Sequence, residues 1–263
     1  METNSAHTGN TPLPVAKNII AIASGKGGVG KTWFAITLSH IIARSGRRVL
    51  LFDGDIGLAN VDVQLGLTPS KDLSAVFSGK SQMKEVINHY APGNFDIIAG
   101  RSGSTSLSAI PQERMEAAGQ ALTKLADTYD YVILDLGAGI EQNVQYLSSL
   151  AAKSIVIVND EPTSLTDAYA YIKICTSKPN MPSVNVVVNS SPSQKEGDRT
   201  FEALNRACEN FLKFSPNLLG VIRKDNKIRD AIRAQKSLVS IAPGTTAASD
   251  VASISLKLLQ RDE

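Results

Sequence analysis

The sequence has little of what marks several large protein classes. Its 263 residues include only two cysteines, Cys175 and Cys208, with no metal-ligand spacing around them. That excludes a disulfide scaffold or a thiolate metal centre and points to reduced thiols in a cytoplasmic protein. No apolar run approaches the ~20 residues needed to cross a bilayer. Neither charge dominates, with 27 Lys and Arg against 25 Asp and Glu. Any attraction to nucleic acid or anionic lipid must therefore come from a local patch rather than from the whole surface. Residues 1–17 lack the apolar core of a signal peptide and, with small polar residues and prolines, read as a disordered tail. There is no internal repeat, and Trp33 is the only tryptophan.

What is present is a chain with 43% hydrophobic residues, long enough to bury a large core. We read residues 18–263 as a single domain. Strand-like apolar runs recur at 19–23, 49–52, 95–98, 131–134, 155–158, 184–188 and 218–222. Most alternate with helical patterns, over 32–44, 112–126, 141–151, 164–176, 198–214, 226–235 and 247–260. Such alternation predicts an α/β fold, a doubly wound and mostly parallel sheet flanked by helices, with ligands outside the carboxyl ends of the strands. The stretch 100–106, rich in Gly and Ser, is the most flexible-looking internal loop and reads as surface.

At the end of the first apolar run stands Gly25-Lys26-Gly27-Gly28-Val29-Gly30-Lys31-Thr32, followed at once by a helical pattern. This is the P-loop template in its strand-loop-helix context, with an additional lysine at Lys26. The glycines let backbone N–H groups wrap a polyphosphate at a helix N-terminus. Lys31 is placed to reach the β- and γ-phosphates of a nucleoside triphosphate, and the Thr32 hydroxyl is placed to ligate Mg²⁺.

Two further strands end in aspartate, giving Asp53 and Asp55 after 50–52 and Asp135 after 132–134. A parallel sheet brings such ends beside the P-loop. The second has the form of a Walker B strand, so Asp135 is the metal candidate. Leu136-Gly137-Ala138-Gly139, which follows, reads as a switch that can approach and respond to the γ-phosphate.

The lysine-bearing loop 26–32, the segment Asp53-Gly54-Asp55-Ile56-Gly57-Leu58 and the switch 135–139 resemble the MinD/ParA class of deviant Walker ATPases, over nearly the whole chain. Within it, Gly57-Leu58-Ala59-Asn60-Val61-Asp62 and Glu161-Pro162-Thr163-Ser164-Leu165-Thr166-Asp167-Ala168-Tyr169 are most similar to the FlhG (FleN) group, which regulates flagellar number and placement. The resemblance implies an ATP-dependent homodimer in which Lys26 crosses to the partner's phosphates, much as an arginine finger does. It implies that Asp55 orients the attacking water and that Asp53 supports the Mg²⁺ shell. Asn189 and Asp225 resemble the adenine-binding elements of the class. Gly25, Lys26, Gly27, Gly28, Val29, Gly30, Lys31, Thr32 and Trp33 would line the ATP or ADP. The implied partners are flagellar C-ring components or a flagellar transcription activator, reached in the cytoplasm, at the cell pole or at the inner membrane face.

Several residues depart from the class. Trp33 stands where a small hydroxyl residue often touches the α-phosphate, leaving only its backbone amide for that contact. Arg223 stands where proline is common. The tail lacks the Asp-Gln-Ala helix with which many FlhG proteins stimulate the GTPase FlhF, which argues against direct activation of FlhF. Val251, Ile254 and Leu258 form an apolar stripe in 247–263, but Lys257 and Arg261 face Asp250, Asp262 and Glu263. A membrane-targeting helix would need a basic polar face, so we expect a core-packing helix and weak or absent membrane binding.

The runner-up function is a ParA-type partition ATPase binding DNA without sequence preference. It is motivated by Arg223, Lys224, Lys227, Arg229, Arg233 and Lys236 against Asp225 and Asp230. An iron-protein reductase would need cluster cysteines, and none lies between Asp55 and Asp135. A ligase would need a substrate pocket beside the γ-phosphate that we cannot identify. A GTPase is disfavoured because no Asn-Lys-x-Asp motif occurs.

Overall fold

A computed structural model of the chain describes residues 16–100, 110–179 and 181–260. Most of the tail, the loop after Gly100 and residues 261–263 therefore lie outside the described residues. Eight strands form one sheet: β1 (Ala16–Ala23), β2 (Val49–Gly54), β3 (Ile87–Tyr90), β4 (Phe95–Ile98), β5 (Tyr131–Leu136), β6 (Ala151–Val158), β7 (Ser183–Ser191) and β8 (Asn217–Arg223). Their order is β3-β4-β2-β5-β1-β6-β7-β8, and all neighbours are parallel except β3 and β4. Ala16 and Lys17, assigned above to the tail, belong to β1, because Ala16 already pairs with Ala151 of β6.

The inner strands read as unbroken apolar runs because both faces are covered. Ile19, Ala21 and Ala23 of β1 join one core with α3 (Leu73–Phe77), α4 (Gln112–Ala126), α5 (Gln142–Ser149), α6 (Pro162–Ser177) and α7 (Gln194–Leu212). Ile20 and Ile22 point the other way. They pack with α1 (Lys31–Arg44), α2 (Val61–Leu65), α8 (Asn226–Arg233), α9 (Leu238–Ile241) and α10 (Thr246–Gln260). Each fully buried Phe, Leu or Ile in these layers contributes about 1.5–3 kcal/mol by leaving water. The chain leaves β1 for β2, runs out to the edge strand β3, turns back through β4 and then to β5, and finally crosses β1 to build β6, β7 and β8. Its direction reverses at β1, so the carboxyl end of β1 is the crevice where such folds bind ligands.

Strand β3 departs from expectation. Its Ile-Asn-His-Tyr has no apolar run and buries only Tyr90; antiparallel pairing with β4 holds it, with His89 Nδ1 2.8 Å from Asp96 Oδ1. Helix α7 starts four residues earlier than predicted because the Ser193 hydroxyl accepts the Glu196 N–H and caps it. In α10 the stripe Val251, Ile254 and Leu258 is buried in the core, as its charge pattern predicted.

Helix α1 also carries a titratable group inside the core. His40 Nδ1 lies 2.8 Å from the Ser237 hydroxyl, and its ring packs against Phe95. Burial, helped by the Arg44 charge, lowers its pKa from 6.5 to about 4. The folded chain thus binds this proton more weakly than the unfolded chain. Stability that is complete above pH ~6.5 is lost as the pH falls toward about 4. The melting-temperature advantage of wild type over His40→Leu should shrink between pH 7 and pH 4.5. An advantage that stays constant across that range would contradict this account.

Candidate nucleotide-binding site

The P-loop leaves β1 at Ser24 and enters α1 at Lys31. Gly30 closes it at φ 99°, a left-handed conformation that favours glycine, and a Cβ there would collide with Asn189 Nδ2 and Trp33 Nε1. Gly25 is needed for close approach instead, since a Cβ would fall 2.1 Å from the backbone carbon of Asp167 in α6. At Gly27 and Gly28 a Cβ would enter open space in front of the loop, which leaves the cradle open to a polyphosphate. The Asn189 side chain on β7 donates to the Val29 carbonyl at 2.7 Å, bracing the loop from behind.

Asp55 and Asp135 both lie within the field of Lys31 in this loop, and Asp53 stands beside Asp135. Asp53 and Asp135 are register partners on β2 and β5, and both are buried. Burial and the neighbouring Asp135 push the Asp53 pKa well up, while three backbone N–H groups oppose the shift. Those groups decide its role. Asp53 Oδ1 accepts from Asp55 N at 3.2 Å, and Oδ2 accepts from Asn60 N at 3.1 Å and Val61 N at 3.0 Å. Asp53 therefore anchors the loop that carries Asp55 through both of its carboxylate oxygens.

Asp135 has the complementary arrangement. Burial raises its pKa to about 6, against a hydrogen bond from Thr32 and the charge of Lys31, and its Oδ1 has no partner. An unsatisfied buried carboxylate oxygen beside the Thr32 hydroxyl fits Mg²⁺, which takes one or two protein oxygens and completes its shell with phosphates and water. Among the described residues no cluster of three or more His, Cys, Asp or Glu could hold a metal without such phosphates.

Asp55 lies at the mouth. Burial raises its pKa, Lys31 pulls it down and Glu141 pushes it up. A methyl group at Gly137 would come within 3.3 Å of Asp55 Oδ1, so this carboxylate sits over the switch. The switch is tied to the loop by the Gly139 N–H, which donates to the Ser24 carbonyl at 2.9 Å. Lys31, 8% exposed, acts on both Asp55 and Asp135 and so occupies the centre of the site.

Lys26 points elsewhere. Its ammonium pairs with Glu161 and donates to the Thr163 hydroxyl at 3.0 Å, both at the start of α6. Glu161 is positioned in turn by Asn159 Nδ2 at 3.0 Å. Neither partner was singled out in the sequence for this role, although both stand in the stretch 161–169 quoted above.

Trp33 is buried on the first turn of α1, its indole nitrogen beside Gly30. Being the only tryptophan, it should report nucleotide binding by its fluorescence. We expect an intensity or wavelength change on titration with ATP, and a flat response at saturation would show that its surroundings do not change.

Asp225 caps α8, accepting the Lys227 N–H at 2.9 Å and, from α10, the Ala247 N–H at 3.3 Å. Arg223, at the position where proline is common, forms a fork with Asp250: Nη2 to Oδ1 at 2.7 Å and Nε to Oδ2 at 3.1 Å. Its backbone N–H also donates to Oδ2 at 2.9 Å, a bond proline could not make. This reduces the basic patch, since Asp250 neutralises Arg223 and Asp230 pairs with Lys227 at 3.1 Å. Lys224, Arg229, Arg233 and Lys236 make no ion pair among the described residues.

The CobQ/CobB/MinD/ParA nucleotide binding domain matches residues 20–239. The chain belongs to this family. It is a P-loop ATPase that takes ATP and ADP with Mg²⁺. It is 36% identical to the antiactivator FleN of Pseudomonas aeruginosa over 87% of this chain and 81% of that protein. Its identity to the flagellum site-determining protein YlxH of Helicobacter pylori is 32%, over 85% of this chain and 76% of that one. The fold is shared with the septum site-determining protein MinD of Pyrococcus horikoshii, solved with Mg-ADP, at a TM-score of 0.80 and 23% identity over 94% of this chain and 97% of that one. Among the described residues no helix is long and apolar enough to cross a membrane.

Proposed function

We propose that the chain is an ATP-dependent dimerisation switch that sets flagellar number or placement, with the chain from Ala16 onward acting as one ATPase domain. The position of Lys26 carries this reading. Lys31 already serves the cradle of its own subunit, whereas Lys26 stands at the rim, 37% exposed, held by exposed partners that a second subunit can replace. On this reading Lys26 leaves Glu161 and crosses to the phosphates bound by a second copy, so that two ATP molecules lie between two subunits.

Asp55 then orients the attacking water, and Asp53 keeps the Asp55 loop in place. Thr32 and Asp135 would hold Mg²⁺, which would supply positive charge against the phosphate oxygens. Asn189, whose Oδ1 is buried without a partner, offers an acceptor toward the adenine amino group, and Asp225 shapes the loop beside it. Loss of the γ-phosphate releases the switch 135–139 and loosens the dimer. The ATP dimer and the ADP monomer thereby present different surfaces to their partners.

On this reading the partners are a flagellar transcription regulator or C-ring components, met in the cytoplasm, at the pole or at the inner membrane face; the flagellar context is supported by the likeness to YlxH, a flagellum site-determining protein. Membrane binding by the chain itself is weak on this reading, because the α10 stripe faces the core. Sedimentation with anionic vesicles checks that.

Flagella counted in a deletion strain test the function. An altered number or position is expected, whereas normal flagellation with defective DNA segregation would favour the partition reading. That alternative rests on the four cations of 224–236 that make no ion pair among the described residues, a weaker patch than six against two.

A further inference from the structure

Away from the nucleotide site, α3, the turn that follows it and one face of α4 enclose a groove of about 720 Å³. Its floor is apolar: Phe77 and Met83, each 5% exposed, meet Ala118, Ala121 and Leu125 of α4. Its rim is basic. Lys84 stands on the α3 side, Arg114 and Lys124 stand on α4, and no Asp or Glu lines the groove. Arg114 Nη1 donates to the Phe77 carbonyl at 2.6 Å, which ties this cation across the groove to α3. None of the three forms an ion pair among the described residues. The acid next to Lys84, Glu85, is already engaged by Lys71 and by the Gln82 N–H.

Arg114 and Lys124 are ten residues apart on one helix, about 15 Å at 1.5 Å per residue, so the furrow matches two to three turns of helix. Unpaired cations around an apolar floor are complementary to a helix that is apolar on one face and acidic on its flanks. Met83 adds an adaptable surface for such a face. We propose that this groove docks an acidic amphipathic helix of a protein partner.

Residues 1–15 and 101–109 fit that helix poorly: the first contain one acid, Glu2, and two prolines, and the second contain no acid. A bilayer fits poorly, because a flat surface meets protruding apolar groups, whereas Phe77 and Met83 are recessed. The large exposed apolar side chains, such as Leu58, Phe211 and Leu256, lie outside the groove.

The probe is a fluorescein-labelled helical peptide with Leu at i, i+3, i+4 and i+7 and Glu on its flanks, with a Lys-for-Glu version as control. In anisotropy titrations of the full chain, the Glu peptide should bind and the Lys peptide should not. The double variant Lys84→Glu/Lys124→Glu should weaken the Glu peptide by about tenfold or more while leaving ATP turnover at the wild-type rate. Ala121→Trp, which fills the floor, should block the Glu peptide; the charge-reversal pair keeps the test decisive if that variant folds poorly. The proposal is overturned if the Glu peptide does not bind, if both peptides bind alike, or if the double variant binds as wild type. Sedimentation with phosphatidylglycerol vesicles that the same double variant abolishes would also overturn it, since the groove would then be a lipid site.

Discussion

Lys31→Ala should lose tight ATP binding while the chain remains folded. The lysine is 8% exposed at the centre of the cradle, where its charge acts on both Asp55 and Asp135. Bound triphosphate would add several negative charges to the same space. Removing one partner of a buried charged contact costs about 2–5 kcal/mol, which is roughly 30-fold to several-thousand-fold in affinity. Equilibrium binding of a fluorescent ATP analogue, with circular dichroism to verify folding, reads the effect. Unchanged affinity in the folded variant would remove the nucleotide from this loop.

Asp55→Ala and Lys26→Ala should both abolish turnover, for different reasons. Asp55 sits over Gly137 with its pKa raised by burial, and on the proposed reading it orients the water rather than holding phosphate. Its loss should slow hydrolysis by about 10²–10⁴ with ATP still bound. Lys26 reaches outward to Glu161, and its loss should remove the charge supplied to the second subunit, an effect of up to about 10³–10⁵ for groups acting in trans. Single-turnover hydrolysis at saturating ATP measures both. Mixing the two variants separates them further. A mixed dimer has one site that retains its own Asp55 and receives Lys26 from the other subunit, so activity should partly return. A mixture as inactive as each variant alone would contradict action in trans.

Much of the fold was legible because its information is local. Strands β1, β2, β5, β6 and β7 are covered on both faces, so each reads as an apolar run wherever it is cut from the sequence. Strand β3 could not be read that way: four residues with one buried side chain owe their conformation to β4. Helices α2 and α3 have five residues each, too few for a 3.6-residue period to repeat. The phosphate cradle was equally legible, since a backbone loop is specified by contiguous glycines.

The side-chain partnerships of the site were not legible. Glu161 grips Lys26 across 135 positions, and Asp250 grips Arg223 across 27, both brought into reach only by the packing of α6 and α10 on the sheet. Asp53 is the instructive intermediate. Its place beside Asp135 followed from strand register, but its engagement by three backbone N–H groups depended on the turn of the loop 55–61.

Light scattering of the wild-type chain with ATP and Mg²⁺, then with ADP and Mg²⁺, then of Lys26→Ala with ATP, tests the central claim most directly. The account predicts twice the monomer mass for wild type with ATP, monomer with ADP, and monomer for Lys26→Ala although it still binds ATP. Wild type that stays monomeric with ATP while hydrolysing it at the full rate would contradict it.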